Sequence, residues 1–364
     1  MVRVALDEQI FAIQPFGGIS RLFYEKASAF VRDSSLGVSV EPLNAPVINE
    51  YLLGDPELSE ALGATRSPGA YMALARYFVR SHRTSVVDVV HNTFYLPRGL
   101  GGHPGAKRVV TVYDMIPELL PQTRRRMDFL TEKHKYVQQA DHVVCISEST
   151  RNDLLRVYPD IHAPVTIAYP GVGSQFNPEA PTFSGLPEPY VLHVGNRGSY
   201  KDGETLFRAF AAIAGGFPEV TLFLVGGGSL SKSEREMCAS LGIIDRIEQR
   251  SIHDSDMPSV YVQALVTVFP SRYEGFGLPA VEALACGCPL VLADTSSLPE
   301  VGGEAAHYFP PGDDRALAEI LRSLLESESL RTSMRQIGFE QAAKFTWHGY
   351  AEANARAYQA ALES

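Results

Sequence analysis

The chain is short of sulfur, indole and cationic excess, and each shortage removes a class of function. It has one tryptophan and four cysteines in 364 residues. Cys145, Cys238, Cys286 and Cys288 make no Cys-x-x-Cys pair, so neither a zinc site nor a disulfide framework is indicated. A reducing cytoplasm is the expected setting. No apolar run reaches the roughly 18 residues of a membrane-spanning helix. The start, Met1-Val2-Arg3-Val4-Ala5-Leu6-Asp7-Glu8, carries acids early and has no apolar leader core, so it is not read as a signal peptide. Lys and Arg total 32 against 42 Asp and Glu, a net charge of −10 that argues against a general nucleic-acid role. A dinucleotide fingerprint is missing too. Gly226-Gly227-Gly228 has Ser231 where a third glycine belongs and does not open the first strand–helix unit, which counts against a nicotinamide oxidoreductase.

What is present is an ordinary globular composition, 45% hydrophobic and 20% charged. The length suggests two domains. Val2–Leu6 reads as a short strand, and 86–90, 109–113, 143–146 and 165–168 are short β-branched runs; runs apolar on both faces suit a parallel sheet buried between helices. Ile19, Leu22, Phe23, Ala27 and Phe30 recur at helical spacing between the first two. Ser147-Glu148-Ser149-Thr150 opens a helix. From Gly171 to Pro189 glycine and proline break the pattern, which fits a linker. A second alternation follows: strands at Tyr190–Val194, Thr221–Val225, 265–269 and 290–292, a helix from Glu204 to Ile213, and one from about Asp314 capped at Gly312-Asp313. The last segment sets Trp347, Ala351, Ala355, Tyr358 and Leu362 at helical spacing. Two such series imply an α/β protein of two Rossmann-like domains.

Ligands of open α/β sheets lie at the carboxyl ends of the strands, so the residues that follow each strand carry the functional reading. After 265–269 comes Pro270-Ser271-Arg272-Tyr273-Glu274-Gly275-Phe276-Gly277-Leu278-Pro279-Ala280-Val281-Glu282-Ala283. Gly275 and Gly277 let backbone approach a ligand closely. Pro279 suits a helix start, and Leu278 has no oxygen to cap it, so the first-turn N–H groups suit an anion. Glu274 and Glu282 frame the turn, although an acid near a helix start also favours the helix dipole. After Val194, Gly195-Asn196-Arg197-Gly198-Ser199-Tyr200-Lys201 sets two cations beside a glycine turn, which suits a diphosphate. Asp254-Ser255-Asp256 is a written Asp-x-Asp, but it precedes Met257-Pro258 and a helical run, so helix capping explains it and no metal site is expected.

The Glu274–Glu282 stretch, with Ala285-Cys286-Gly287-Cys288-Pro289-Leu290-Val291 and Ser297-Leu298-Pro299-Glu300-Val301 after it, resembles the Glu-x7-Glu signature of retaining family-4 glycosyltransferases. Tyr113-Asp114-Met115-Ile116-Pro117 resembles the His-Asp-Leu-Ile-Pro loop of a mannosyltransferase-like branch, with Tyr113 in the histidine's place. The resemblance covers nearly the whole chain. It implies the GT-B fold: a first, acceptor domain over 1–172, a nucleotide-sugar donor domain over 187–345 facing it, and a C-terminal helix over 346–364 crossing back to the first. Closure of the cleft would exclude water and align the two substrates.

The resemblance also assigns roles. Arg197 and Lys201 would hold the donor diphosphate and stabilise the charge of the departing group. Glu274 would accept from donor-sugar hydroxyls and Glu282 from ribose hydroxyls. Gly275, Phe276, Gly277 and Leu278 would offer backbone N–H groups. Ser251 and Ile252 lie where the family reads the base. Gly17 and Gly18, in Phe16-Gly17-Gly18-Ile19-Ser20-Arg21, match the family's glycine loop. His91 stands where the family has a histidine near the transferred sugar, although a lone histidine at a strand end is more often structural. Asp114 would bind acceptor hydroxyls or serve only as a turn residue.

The expected reaction is transfer of a hexose, with retention, from a nucleotide-diphosphate sugar to a hydroxyl of a glycan or lipid-linked acceptor. GDP-mannose is the first candidate donor and a UDP-hexose the second. No nucleophile is identified, so same-face attack is expected, with the departing phosphate taking the acceptor proton. No cofactor is required. Location is cytoplasmic or at the inner face of the membrane, where Arg124-Arg125-Arg126-Met127 and the segment from Tyr71 to Arg83 could touch anionic lipid, although charge runs of this length are usually solvated faces. A non-catalytic sugar-nucleotide binder and a sugar-nucleotide epimerase on the same architecture stay open.

Overall fold

A computed structural model describes residues 1–69, 86–97, 103–123 and 130–364. The basic run at 124–127 and the segment 71–83, both named above as membrane-facing, lie outside the described residues. The chain divides into two compact units, one made of Met1–Gly171 with Trp347–Ser364, the other of Val172–Thr346.

The first unit is built on a six-stranded parallel sheet. Its strands are β1 (Val2–Leu6), β2 (Val38–Val40), β5 (Val89–Asn92), β6 (Lys107–Val112), β7 (His142–Cys145) and β8 (Val165–Ile167), in the order β2-β1-β5-β6-β7-β8. A separate parallel pair joins β3 (Pro46–Val47) to β4 (Thr65–Arg66). The β-branched runs form the middle of the large sheet because both of their faces are covered: Val4, Val89, Val109, Val110 and Val143 are fully buried. The run at 86–90 becomes strand only from Val89. Val86 is exposed, and Asp88 turns its carboxylate onto the Arg3 backbone N–H at 2.8 Å. The helix Gly18–Arg32 covers the sheet with Leu22, Phe23, Ala27 and Phe30. Ser147 caps Glu148–Val157 by accepting from Thr150 N at 3.0 Å. The C-terminal helix Trp347–Glu363 belongs to this unit and buries Tyr350, Ala351, Ala355, Tyr358 and Ala361 in it.

The second unit repeats the scheme with β9 (Tyr190–Val194), β10 (Thr221–Val225), β11 (Ile247–Arg250), β12 (Val266–Phe269), β13 (Leu290–Ala293) and β14 (Ala306–Phe309), in the order β11-β10-β9-β12-β13-β14, all parallel. From β9 the chain builds outward through β10 to β11, then returns to β12 on the other side of β9. The β9/β12 boundary is therefore the topological switch point, where open α/β sheets bind ligands. Asp313 caps the helix Asp314–Glu326, accepting from Arg315 N and Ala316 N. The proline-rich stretch after Gly171 is no free linker. Phe176 is buried against Tyr261, with ring centroids 6.1 Å apart, and Phe183 N donates to Gln263 Oε1 at 2.7 Å. Apolar side chains tie it to the second unit where its glycine and proline content alone suggested a tether.

Candidate active site

The switch point of the second unit gathers the strongest group of candidates. Lys201 ends the short 3-10 turn Ser199–Lys201 after β9, and Glu274 lies in the loop after β12. Lys201 Nζ donates to both carboxylate oxygens of Glu274, at 2.7 and 2.8 Å. The pair is partly open, with 24% of the lysine and 14% of the glutamate side chain exposed. A cation and an anion from segments far apart in sequence thus meet where the topology predicts a ligand.

The loop is held from behind. Glu274 N donates to Ser296 Oγ at 2.8 Å, and Ser297 Oγ donates to the carbonyls of Glu274 and Phe276, both at 2.9 Å. Phe276 anchors its own backbone by burying its ring against Phe345, centroids 5.5 Å apart. Gly277 takes φ +107 and caps the helix Leu278–Ala285 without a side chain, and Pro279 occupies its first turn. Gly275 precedes Phe276 in the same loop. Glu282 projects from this helix and accepts from Tyr261 Oη at 3.2 Å. Burial, and secondly the Glu282 charge, push the Tyr261 hydroxyl well above its usual pKa, so it stays a proton donor to that carboxylate. Ser271, also buried after β12, has a hydroxyl with no hydrogen-bond partner among the described residues. Ser251 is exposed and Ile252 half-buried in the loop after β11, on the far side of β10 from Lys201.

Two residues expected at the ligand are turned inward. The resemblance puts Arg197 on the donor diphosphate. Its side chain is 2% exposed, and each of its three nitrogens has an internal acceptor. Nε donates to Glu234 at 2.9 Å, Nη1 to Gly226 O at 3.1 Å, and Nη2 to Gly228 O at 2.9 Å and Ser229 O at 3.4 Å. The resemblance puts His91 beside the transferred sugar. Its ring is fully buried at the end of β5, with Nε2 2.7 Å from Thr111 Oγ1 and Nδ1 2.8 Å from Tyr358 Oη and 3.2 Å from Lys26 Nζ. The C-terminal helix supplies Tyr358, a contact that local sequence around His91 cannot show. Burial, then the Lys26 charge, drive the imidazole well below its ordinary pKa, so the ring is neutral.

In the first unit Gly17 caps Gly18–Arg32 with φ +152, and a Cβ there would meet the Gln14 amide at 2.5 Å. Gln14 Oε1 accepts from Ser20 N at 2.9 Å, so one first-turn donor of this glycine loop is already used. Asp114 behaves as a turn residue: its Oδ1 accepts from Ile116 N at 3.0 Å, and its carbonyl accepts from Lys133 Nζ at 2.9 Å. Asp254-Ser255-Asp256 forms a 3-10 turn capped by His253, which accepts from Ser255 N, and Asp256 at the N-cap of the helix Met257–Gln263 makes no side-chain capping bond. Among the described residues no group of three or more His, Cys, Asp or Glu could hold a metal, and no helix is long and apolar enough to cross a membrane.

Sequence reasoning did not single out Ser296, Glu234, Tyr261 or Lys26. Only Glu234 carries a local signal, the Ser231-x-x-Glu234 capping box, which forms as that spacing predicts.

Comparison with known proteins agrees with this architecture. Residues 16–176 match the model described as Glycosyltransferase Family 4, and residues 178–341 that of Glycosyl transferases group 1. The chain is 27% identical over 292 residues to the O-antigen chain mannosyltransferase B of Escherichia coli, covering 73% of this chain and 72% of that protein. It superposes on sucrose-phosphate synthase from Thermosynechococcus elongatus with a TM-score of 0.74 at 22% identity, over 99% of this chain and 98% of the other. Anabaena HepE in complex with UDP and glucose gives a TM-score of 0.73 at 15% identity, over 98% and 99% of the two chains. Two parallel-sheet units and these matches lead to one conclusion: the chain belongs to family 4 of the glycosyltransferases and is a hexosyltransferase with the GT-B fold.

Proposed function

We propose that the protein transfers mannose from GDP-mannose, with retention, to a hydroxyl of a glycan or lipid-linked acceptor, and that a UDP-hexose is the alternative donor. The observation that carries the reading is the pairing of Lys201 with Glu274 at the second switch point, beside the uncapped helix that bears Glu282. On donor binding, Lys201 exchanges its carboxylate partner for the diphosphate and offsets the charge of the leaving group. Glu274, released from the lysine, accepts from sugar hydroxyls, and Glu282 accepts from the ribose. Backbone of Gly275, Phe276, Gly277 and Leu278 faces the sugar or phosphate, Ser251 and Ile252 lie toward the base, and the Gly17-Gly18 loop and Asp114 serve diphosphate and acceptor. Reaction on one face forms the bond from the acceptor oxygen to the anomeric carbon as the bond to phosphate breaks, and the acceptor proton passes to the phosphate oxygen. The cation already present makes a cofactor unnecessary. The name of the E. coli relative favours mannose, and the UDP and glucose bound by HepE keep the second donor in view.

A thermal-shift panel of GDP, UDP, ADP, TDP and their sugar conjugates, beside NAD and with or without magnesium, tests this. A ligand that binds only the folded state must raise its melting temperature. The expected result is a shift with one nucleotide, independent of magnesium and lost in Glu282→Ala. No shift with any nucleotide, or a shift with NAD alone, overturns the proposal. Retention is read separately, from the anomeric configuration of the product by NMR.

A further inference from the structure

We infer that Arg197 and Glu234 form a positioning pair that shapes the nucleotide site through the Gly226–Gly228 loop, and that Arg197 makes no contact with phosphate. The inference rests on the donor site proposed above and changes one of its expected members. The loop between β10 and the helix Lys232–Ser240 has three consecutive residues at positive φ, +76, +67 and +71, which only glycine adopts without strain. Such a backbone has no side chains to hold its shape, and Arg197 supplies the hold. Its guanidinium reaches the carbonyls of Gly226, Gly228 and Ser229, while Gln249 Nε2 adds a longer bond to Gly226 O at 3.4 Å. The fit is tight. A Cβ on Gly227 would come within 2.5 Å of Gly195 O and 2.7 Å of Arg197 Nη1. A Cβ on Gly203 would come within 2.7 Å of Arg197 Cβ.

Glu234 orients the arginine. Oε1 accepts from Arg197 Nε at 2.9 Å while Oε2 accepts from Ser231 N at 2.6 Å, so one carboxylate ties the arginine to the first turn of the following helix. Burial works against this carboxylate, but the bonds from Ser231 and Arg197 outweigh it and hold its pKa below the usual value, so Glu234 stays ionised near neutrality. A buried guanidinium with three carbonyls and a carboxylate around it is satisfied, and drawing it out toward a phosphate would strand those acceptors. The loop it holds follows β10, between the loop after β9 that ends in Lys201 and the loop after β11 that holds Ser251 and Ile252. Its shape therefore sets the spacing between the diphosphate and base ends of the site. Lys201 is left as the direct diphosphate cation of this loop.

The test is calorimetric binding of GDP and GMP, or UDP and UMP if the uracil nucleotides bind, to the full-length protein and four variants. A direct phosphate contact favours the diphosphate over the monophosphate; a shaped loop favours both alike. Arg197→Gln and Glu234→Ala are expected to weaken both nucleotides by the same factor, about tenfold, the size of a lost charged hydrogen bond. The diphosphate-to-monophosphate affinity ratio stays within twofold of the unaltered protein, and donor KM rises with kcat within about twofold. Ser231→Ala breaks the capping box but leaves Arg197 clamped, so it lowers the melting temperature without changing affinity. Lys201→Met narrows the ratio. The inference is overturned if Arg197→Gln narrows the ratio as Lys201→Met does, or if Glu234→Ala leaves both affinities unchanged. Should Arg197→Gln fail to fold, Glu234→Ala decides alone. Failure of the unaltered protein to bind either nucleotide pair overturns the donor-site proposal instead.

Discussion

Single residues in the second unit divide into those that pair at a partly open surface and those that close packing holds in place. Lys201 and Glu274 belong to the first kind. With 24% and 14% of its side chains exposed, the pair is only partly screened by solvent, so truncating one partner leaves the other charge largely covered. Lys201→Met and Glu274→Ala should lower kcat/KM by about 100-fold or more, the scale of losing one aligned electrostatic contact, with a smaller loss of stability in urea unfolding. Unchanged turnover in Glu274→Ala removes it from the site. Gly227, in the loop after β10, is exposed but closely packed on its inner side. Gly227→Ala forces a strained φ and a clash with Gly195 O, so a loss of about 1–3 kcal/mol is expected in equilibrium unfolding. A variant as stable as the parent would mean that the loop is looser than its glycines indicate.

At the scale of elements, the helices Gly18–Arg32 and Trp347–Glu363 are joined through a fully buried amine. Lys26 Nζ donates to Asn354 Oδ1 at 3.2 Å and lies 3.2 Å from His91 Nδ1; among the described residues neither polar contact is a carboxylate. The ionisable groups around it are His91 on β5 and Tyr350 and Tyr358 on the C-terminal helix, and the Phe23 ring 3.9 Å away is the contact that favours an ammonium. Burial dominates and lowers the Lys26 pKa well below 10.5. The unfolded chain then binds a proton that the folded one refuses. Stability is lost as pH falls from 10.5 toward the folded value, at up to about 1.4 kcal/mol per pH unit. Lys26→Met removes this term. Its melting temperature should exceed the parent's by a margin that widens as pH drops, and a margin independent of pH would show that Lys26 titrates normally.

For the whole molecule, the last 18 residues return to the unit that the first 171 began. Tyr350 and Tyr358 are buried there, and loss of each large side chain costs about 3–5 kcal/mol, against a typical domain stability of 5–15 kcal/mol. A chain ending at Thr346 should lose amide protection through β5, β6 and β7 while β9, β10 and β12 keep theirs, as hydrogen exchange would read strand by strand. Equal loss in both units would show that they fold as one. Equal retention would show that the helix is an ornament.

What the sequence alone determined is what depends on neighbours along the chain. Val109 and Val143 mark central strands because a buried parallel strand needs apolar residues on both faces. Ser147 and Asp313 mark helix starts because a side-chain oxygen there meets the first-turn N–H groups. Gly277 and Pro279, between Glu274 and Glu282, mark a helix start without a side-chain cap because both act through backbone within a few residues. The edge strands β2, β11 and β14, each short or interrupted by polar residues, escaped this reading, since an edge needs no continuous apolar run. Only the tertiary structure decided which polar side chains face outward. Arg197 and Lys201 are near neighbours in one loop. One is clamped on carbonyls from the next strand's loop and the other meets a glutamate that arrives after β12. His91 is sealed by a tyrosine from the far end of the chain. A buried charge or imidazole goes where its partners are, and those partners come from segments that only folding brings together.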